Sequence, residues 1–130
     1  MRILSDDVIA ALNIWIEARG EEQNGKIAVG EVMLNRQKTG QWGKTIAEVV
    51  LAPYQFSGWN TNDHNRIYAA LLDDADPQYV QCAQAWALAK SGTSYAKGAV
   101  RYFNPDVVAR PPWATANLFI VRIGHHEFYR

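Results

Sequence analysis

The sequence predicts a mainly helical domain of the α+β class, with a small β element near the carboxyl terminus. Residues 6–19 and 22–37 carry apolar side chains at helical spacing. Residues 77–90 show the same spacing after an Asp-Pro pair, which is typical of a helix start. Two short β-rich segments, 99–104 and 118–123, appear only in the last third, with a proline-containing excursion between them.

Capping residues fix where several helices begin. Ser5 is a good N-cap, and the two aspartates after it suit the positive end of a helix dipole. Residues 45–48, Thr-Ile-Ala-Glu, have the capping-box pattern and predict a short helix that ends before Pro53. A further helix is expected over residues 63–72. At 130 residues, the chain is expected to form one domain over 1–130.

The charge balance and the amino terminus exclude several classes of protein. Thirteen basic and thirteen acidic residues cancel, so the chain lacks the electrostatic footprint of a nucleic-acid-binding protein. No apolar stretch reaches the roughly 20 residues that a membrane span needs. Residues 1–7 turn acidic without an apolar core, so no signal peptide is expected and the chain is expected to be made in the cytoplasm.

Neither cysteine nor histidine forms a pattern typical of metal ligands. Cys82 is the single cysteine, and its alanine-rich surroundings predict a buried side chain. His125 and His126 are expected to face opposite sides of one strand and therefore not to share a metal, while His64 is distant in sequence. Phosphate-binding and serine-nucleophile motifs are lacking as well. We therefore expect no metal and no cofactor.

Glu17 is the candidate general acid. It falls in the last turn of the first predicted helix, beside Trp15 and Ile16. The negative end of the helix dipole and a partly apolar pocket both favour the protonated carboxyl, the form that donates a proton to a leaving oxygen. An ion pair with Arg19 would oppose this effect. An exposed, solvated glutamate fits the same local sequence.

Glu21 follows one helical turn after Glu17 if the helix continues, but Gly20 makes that continuity doubtful. The preferred interpretation is that Glu21 caps the second helix or pairs with Arg19 or Arg36. Residues 54–62 form a polar, aromatic, glycine-containing stretch that is typical of a functional loop.

Five segments, taken in chain order, resemble one family. They are Trp15–Glu21, Gly25–Arg36, Tyr54–Ser57, Ala99–Pro105 with the later Pro112-Trp113 pair, and Ile123–Tyr129. Together they are similar to the SleB-type cell wall hydrolases, which include the catalytic domains of spore cortex-lytic enzymes and several phage lysins. The resemblance covers nearly the whole chain. His125 departs from it, because the family more usually has a small polar residue there.

The resemblance implies a lysozyme-like fold of the lytic transglycosylase kind, with one catalytic domain. It also implies cleavage of the β-1,4 bond from N-acetylmuramic acid to N-acetylglucosamine, with Glu17 as the catalytic glutamate. The residues expected to bind or position the glycan strand are Gln55, Phe56, Ser57 and His126. We expect sugar rings to stack on Tyr54, Trp59 and Tyr102, although core packing suits Tyr102 equally well.

The reaction type stays open between two mechanisms. A lytic transglycosylase needs one carboxyl and makes 1,6-anhydro ends. A muramidase of the inverting type needs a second carboxylate about 6.5–9.5 Å away. Candidates for that second carboxylate are Glu21, Glu31, Asp63 and Asp106. We prefer the transglycosylase.

Two other functions also remain: a structural protein that binds glycan without cutting it, and a metal-dependent amidase or peptidase acting on the peptide stem. A short chain without a signal peptide or binding module suits a phage endolysin, although a bacterial enzyme without a signal is the other option. Such an endolysin would act, as a monomer, on peptidoglycan glycan strands in the host periplasm after holin release.

Overall fold

The computed structural model describes residues 5–51 and 73–130, and the α+β class is confirmed there. The described helices, numbered in chain order, are α1 (Asp6–Ala18), α2 (Gln23–Thr39), α3 (Ile46–Leu51) and α4 (Pro77–Lys90). Three strands follow: β1 (Arg101–Phe103), β2 (Phe119–Ile123) and β3 (His126–Tyr129). The helix predicted over residues 63–72 lies outside the described residues.

The predicted helix caps are confirmed in three places. The hydroxyl of Ser5 accepts a hydrogen bond from the backbone N–H of Val8 at 3.3 Å. At the start of α3, the hydroxyl of Thr45 accepts from the N–H of Glu48 at 3.1 Å. The carboxylate of Asp76 accepts from two N–H groups in the first turn of α4, at 2.9 and 3.2 Å. These bonds satisfy backbone N–H donors that have no partner within the helix. The capping residues in the local sequence were therefore sufficient to predict where these helices begin.

The helical core lies where α2 and α4 pack on α1. Nearly every residue of α1 from Ile9 to Ala18 is buried. Gly30 makes the close packing possible, because a Cβ atom there would lie 3.1 Å from the Cβ of Ala89 and 3.4 Å from the indole of Trp86. Gly30 thus lets α4 approach α2 closely.

A polar contact fixes the start of α1 against α4. The indole N–H of Trp86 and the ammonium of Lys90 both donate to one oxygen of Asp7 at 2.8 Å. The hydrogen bond from Lys90, followed by that from Trp86, holds the pKa of Asp7 below its usual value. This contact anchors the first turn of α1 on α4. The packing of α1 on α4 therefore sets the direction in which the last turn of α1 points.

The sheet has the order β1-β3-β2, with both pairs antiparallel. Tyr102 on β1 lies opposite Phe128 on β3. Phe128 is fully buried with Ala28 and Val32 of α2, and Ala99 joins the same cluster. The sheet therefore packs against α2, and this contact brings β1 towards the helical half of the molecule.

The turn between β2 and β3 differs from the expectation for the two histidines. Gly124 has a φ of 58°, a left-handed conformation that favours glycine, and it forms a turn together with His125. His126 then begins β3 and is buried, whereas His125 is exposed. One histidine is outward and one inward, as expected. Because His125 lies in the turn rather than on a strand, however, strand alternation does not govern its direction.

The segment between β1 and β2 is irregular, as its prolines predicted, and it is held by aromatic packing. Trp113 meets Phe103 and Tyr129 edge to face, with ring centroids 5.8 and 5.3 Å apart. Within the residues described, no helix is long and apolar enough to cross a membrane.

Cys82 is fully buried in α4, and burial raises the pKa of its thiol to about 12. We expect the native protein to react with a thiol-specific reagent at neutral pH on the order of a thousandfold more slowly than the denatured protein, because the thiolate is the reactive form. Absorbance of the released chromophore with and without denaturant measures both rates. Equal rates would contradict the burial of this side chain.

Candidate active site

Glu17 occupies the last turn of α1 and is half-buried. The carbonyl groups at this helix end are satisfied by Arg19, whose guanidinium donates to the carbonyl oxygens of Trp15 and Ile16 at 3.1 and 3.4 Å. The same guanidinium lies over the Trp15 ring, 4.2 Å from its centroid. Arg19 therefore caps the carbonyl end of α1, in the turn that carries Glu17.

Arg36 is a buried cation within electrostatic range of Glu17. Its Nε donates to the carbonyl oxygen of Val100 at 2.6 Å, and its guanidinium lies over Trp42 at 4.9 Å from the ring centroid. Burial lowers the pKa of Arg36, while Glu17 is among the negative groups that raise it. Arginine stays protonated in either case. The positive charge of Arg36 therefore interacts electrostatically with Glu17.

Tyr102 interacts electrostatically with the same two residues. Two side chains of α2 place the segment that precedes it: Asn35 donates to the carbonyl oxygen of Ala99 at 2.9 Å, and Arg36 donates to that of Val100. Burial, and then the charge of Glu17, raise the pKa of Tyr102 well above its usual value, so the phenol is neutral. Its contacts with the rings of the β3 residues are those of core packing, and the sugar-stacking role stays a prediction.

His126 packs behind Tyr102. The two rings meet edge to face with centroids 5.1 Å apart and an interplanar angle of 80°. His126 is buried with only 6% of its surface exposed, and burial lowers the pKa of its imidazole. The structure thus brings together three of the predicted site residues, Glu17, Tyr102 and His126. The direct contact of His126 with substrate remains a prediction.

The carboxylate of Glu21 faces the turn between β2 and β3. One oxygen accepts from the backbone N–H of His125 at 2.8 Å, and the other lies 2.7 Å from the Nδ1 atom of the same residue. The Nδ1 atom of His126 lies 3.2 Å from the first oxygen, without the angles of a hydrogen bond. The predicted capping of α2 is wrong, because Glu22 occupies that position, and the partners of Glu21 are histidines rather than the expected arginine.

The ionisation of this group follows from its partners. Burial would raise the pKa of Glu21, but the side-chain and backbone hydrogen bonds from His125 outweigh burial and lower it. The hydrogen bond to Glu21 raises the pKa of His125. At neutral pH, Glu21 is therefore a carboxylate with a neutral, buried imidazole on one side and a more basic, exposed imidazole on the other.

The remaining predicted second carboxylates are engaged elsewhere. Glu31 is buried and accepts from the backbone N–H groups of Tyr95 and Ala96 at 3.0 and 2.6 Å. Asp106 is exposed and lies 3.6 Å from a guanidinium nitrogen of Arg122. Asp63 lies outside the described residues. In the two described ranges, no group of three or more His, Cys, Asp or Glu side chains could hold a metal ion.

The predicted loop residues also fall outside the described part of the chain; they are Tyr54, Gln55, Phe56, Ser57 and Trp59. Conversely, sequence reasoning did not assign Arg36 to the site. A signal for it existed, because Arg36 belongs to the same helical face as Val29, Val32 and Met33, and a cation on an apolar face needs a buried partner.

The described residues form a helical domain with a small sheet and place a half-buried glutamate at a helix end. Sequence comparison identifies the class of protein to which such a domain belongs. Residues 20–129 match the profile of the cell wall hydrolases, and the chain belongs to that family. The spore cortex-lytic enzyme of Bacillus subtilis is 29% identical over 95% of this chain and 37% of its own length. That of Halalkalibacterium halodurans is 31% identical over 95% of this chain and 34% of its own length. The chain thus spans well under half the length of these relatives.

Two solved structures share the fold. The catalytic domain of the germination-specific lytic transglycosylase SleB from Bacillus anthracis matches with a TM-score of 0.77 and 25% identity, covering 98% of this chain and 97% of that one. The catalytic domain of the Bacillus cereus SleB protein matches with a TM-score of 0.79 and 27% identity, covering 96% and 89%. The predicted lysozyme-like fold of the lytic transglycosylase kind is confirmed.

Proposed function

We propose that this chain is a lytic transglycosylase that degrades peptidoglycan, cleaving the β-1,4 bond from N-acetylmuramic acid to N-acetylglucosamine. The observation that supports it best is the setting of Glu17. A half-buried carboxyl lies in the last turn of α1, within a fold shared with the catalytic domain of a lytic transglycosylase. Glu17 is the catalytic residue in this proposal.

Glu17 performs both proton transfers. As the bond between C1 of N-acetylmuramic acid and the glycosidic oxygen breaks, the carboxyl gives its proton to that oxygen, and N-acetylglucosamine leaves with a hydroxyl group. The carboxylate then takes the proton of the C6 hydroxyl of the muramic acid residue. The freed O6 forms a bond to C1, which gives a 1,6-anhydro ring without consuming water.

Arg36 and Tyr102 support these steps through charge. Once Glu17 has given its proton away, the guanidinium of Arg36 balances the carboxylate that is left. Tyr102 stays a neutral phenol and therefore adds no second negative charge at this point. Both groups are held by buried contacts, so little reorganisation accompanies the change of charge.

The transglycosylase is preferred to the muramidase because it needs one carboxyl only. Three of the four candidates for a second carboxylate are described: Glu21 and Glu31 accept hydrogen bonds from other groups, and Asp106 pairs with Arg122 on the surface. The fourth, Asp63, lies outside the described residues. A carboxylate that activates water must be available to that water. In the proposal, Gln55, Phe56 and Ser57 line the glycan groove, with Tyr54 and Trp59 stacking on sugars.

Product analysis tests the proposed reaction. Purified peptidoglycan digested with the protein should give muropeptides lighter by one water than those of a muramidase digest, and borohydride should not reduce their muramic acid ends. Mass spectrometry of both digests, with and without borohydride, measures this difference. Reducible ends alone would overturn the transglycosylase in favour of a muramidase. Binding of peptidoglycan without any product would instead indicate a structural glycan-binding protein. Cleavage of the peptide stem that a chelator abolishes would indicate a metal-dependent amidase or peptidase.

A further inference from the structure

We propose that Glu21 is a positioning residue for the proton transfers of Glu17. Its carboxylate orients the imidazole of His126, which in turn holds Tyr102 near the catalytic glutamate. This inference rests on the proposed function. It assigns a role to a buried carboxylate that the transglycosylase mechanism leaves unused.

Glu21 is tied by its backbone to the helix that carries Glu17. Its N–H donates to the carbonyl oxygen of Ala18, the last residue of α1, at 2.9 Å. Its own carbonyl oxygen accepts from the buried ammonium of Lys26 at 2.7 Å. The position of Glu21 relative to the end of α1 is therefore fixed from both sides.

The carboxylate of Glu21 is enclosed by the turn between β2 and β3. Its side chain is 7% exposed. A Cβ atom added to Gly124 would lie 2.8 Å from one of its oxygens, so the turn closes directly on the carboxylate. With the backbone N–H of His125 donating to the same oxygen, this single side chain sets where β3 begins relative to α1.

His126 carries the effect from Glu21 to the site. Its Nδ1 atom lies 3.2 Å from Glu21, and its ring meets the ring of Tyr102 at a centroid distance of 5.1 Å. A negative charge beside one ring nitrogen favours the proton on that nitrogen, so the carboxylate favours the tautomer of His126 that is protonated on Nδ1. Tyr102 interacts in turn with the charges of Glu17 and Arg36.

The charge of Glu21 acts on both histidines. A glutamine would still accept the N–H of His125 through its amide oxygen, without the cost of burying a carboxylate. What the carboxylate adds is a second accepting oxygen 2.7 Å from Nδ1 of His125 and a negative field at Nδ1 of His126, which an amide supplies only weakly. The charge therefore serves the orientation of His126 and Tyr102, and hence the alignment of Glu17 with its substrate.

The test compares Glu21→Gln with Glu22→Gln, since Glu22 is the adjacent exposed glutamate without a side-chain capping bond. With soluble glycan-strand fragments as substrate, we expect Glu21→Gln to lower kcat by about tenfold to a hundredfold, as misplacement of a catalytic group does, with little change in KM. Glu22→Gln should leave both constants unchanged. Thermal unfolding of each variant checks that the assays are run on folded protein.

A double-variant cycle separates positioning from general stability. If Glu21 acts through His126, adding Glu21→Gln to His126→Asn should lower kcat little further. Nitrogen-15 NMR of the wild-type protein gives a readout that no variant can disturb, and we expect neutral His126 with its proton on Nδ1. A native kcat for Glu21→Gln, additive effects in the cycle, or a proton on Nε2 would each overturn the inference. A wild-type protein that releases no anhydro product would overturn the proposed function itself.

Discussion

Glu17→Gln is expected to lower the rate of peptidoglycan cleavage by about 10²–10⁴-fold, the usual contribution of a general acid. Glutamine keeps the size of the side chain and its place beside Arg36, but it has no acidic proton to give to the glycosidic oxygen. Release of soluble muropeptides from purified walls measures the rate. The expected loss is in kcat, because the variant still presents the same surface to the glycan.

Two controls make the Glu17 result specific. The melting temperature should change little, because the carboxyl is half-buried rather than part of the apolar core. Glu22→Gln, an exposed substitution of the same type, should cleave walls at the native rate. A Glu17→Gln protein that lyses walls as fast as the wild type shows that the catalytic acid is another residue.

Glu31→Ala is expected to destabilise the fold by about 2–5 kcal/mol. The carboxylate of Glu31 is the acceptor for two backbone N–H groups, of Tyr95 and Ala96, and Ala96 is fully buried. Removing the carboxylate leaves both N–H groups without an acceptor, and each unsatisfied buried donor costs about 1–3 kcal/mol. The midpoint of urea unfolding, followed by tryptophan fluorescence, measures the loss.

Glu22→Ala is the matched control for this experiment, because it removes an exposed glutamate at the start of the same helix; we expect a change within about 0.5 kcal/mol. Glu31→Gln should lie between the two, since its amide retains one acceptor oxygen. This variant should also cleave glycan at the native rate below its melting temperature. Equal unfolding midpoints for Glu31→Ala and Glu22→Ala would show that the hydrogen bonds of Glu31 do not stabilise the fold. Loss of cleavage by folded Glu31→Gln would instead favour a muramidase in which Glu31 is the second carboxylate.

The site was predictable where its signals are local. Glu17 could be proposed as the catalytic acid from its predicted place in the last turn of a helix, together with the resemblance of the residues around it. His126 came from the resemblance and Tyr102 from its aromatic ring, because nothing in their local sequence indicates that β1 and β3 are neighbours. Arg36 was overlooked because its role depends on Val100 and Trp42, which pack around it only in the folded chain.

Glu21 shows why the remainder of the site escaped sequence reasoning. Its preceding glycine correctly indicated that α1 does not continue, but its partner lies 104 residues further along the chain. The two histidines were placed on one strand because Gly124 was not recognised as a turn residue. His125 lies in the turn formed with this left-handed glycine, so both histidines approach one carboxylate although His125 is exposed and His126 is buried.

The sequence by itself determined the α+β class, the starts of α1, α3 and α4, and the position of Glu17 at a helix end. These features depend on hydrophobic spacing and on hydrogen bonds between residues three or four positions apart. Only the tertiary structure decided which groups surround Glu17 and which carboxylates are engaged elsewhere. Such contacts arise when α2 packs against the sheet and the β2–β3 turn closes on Glu21, and neither event leaves a mark in the local order of residues.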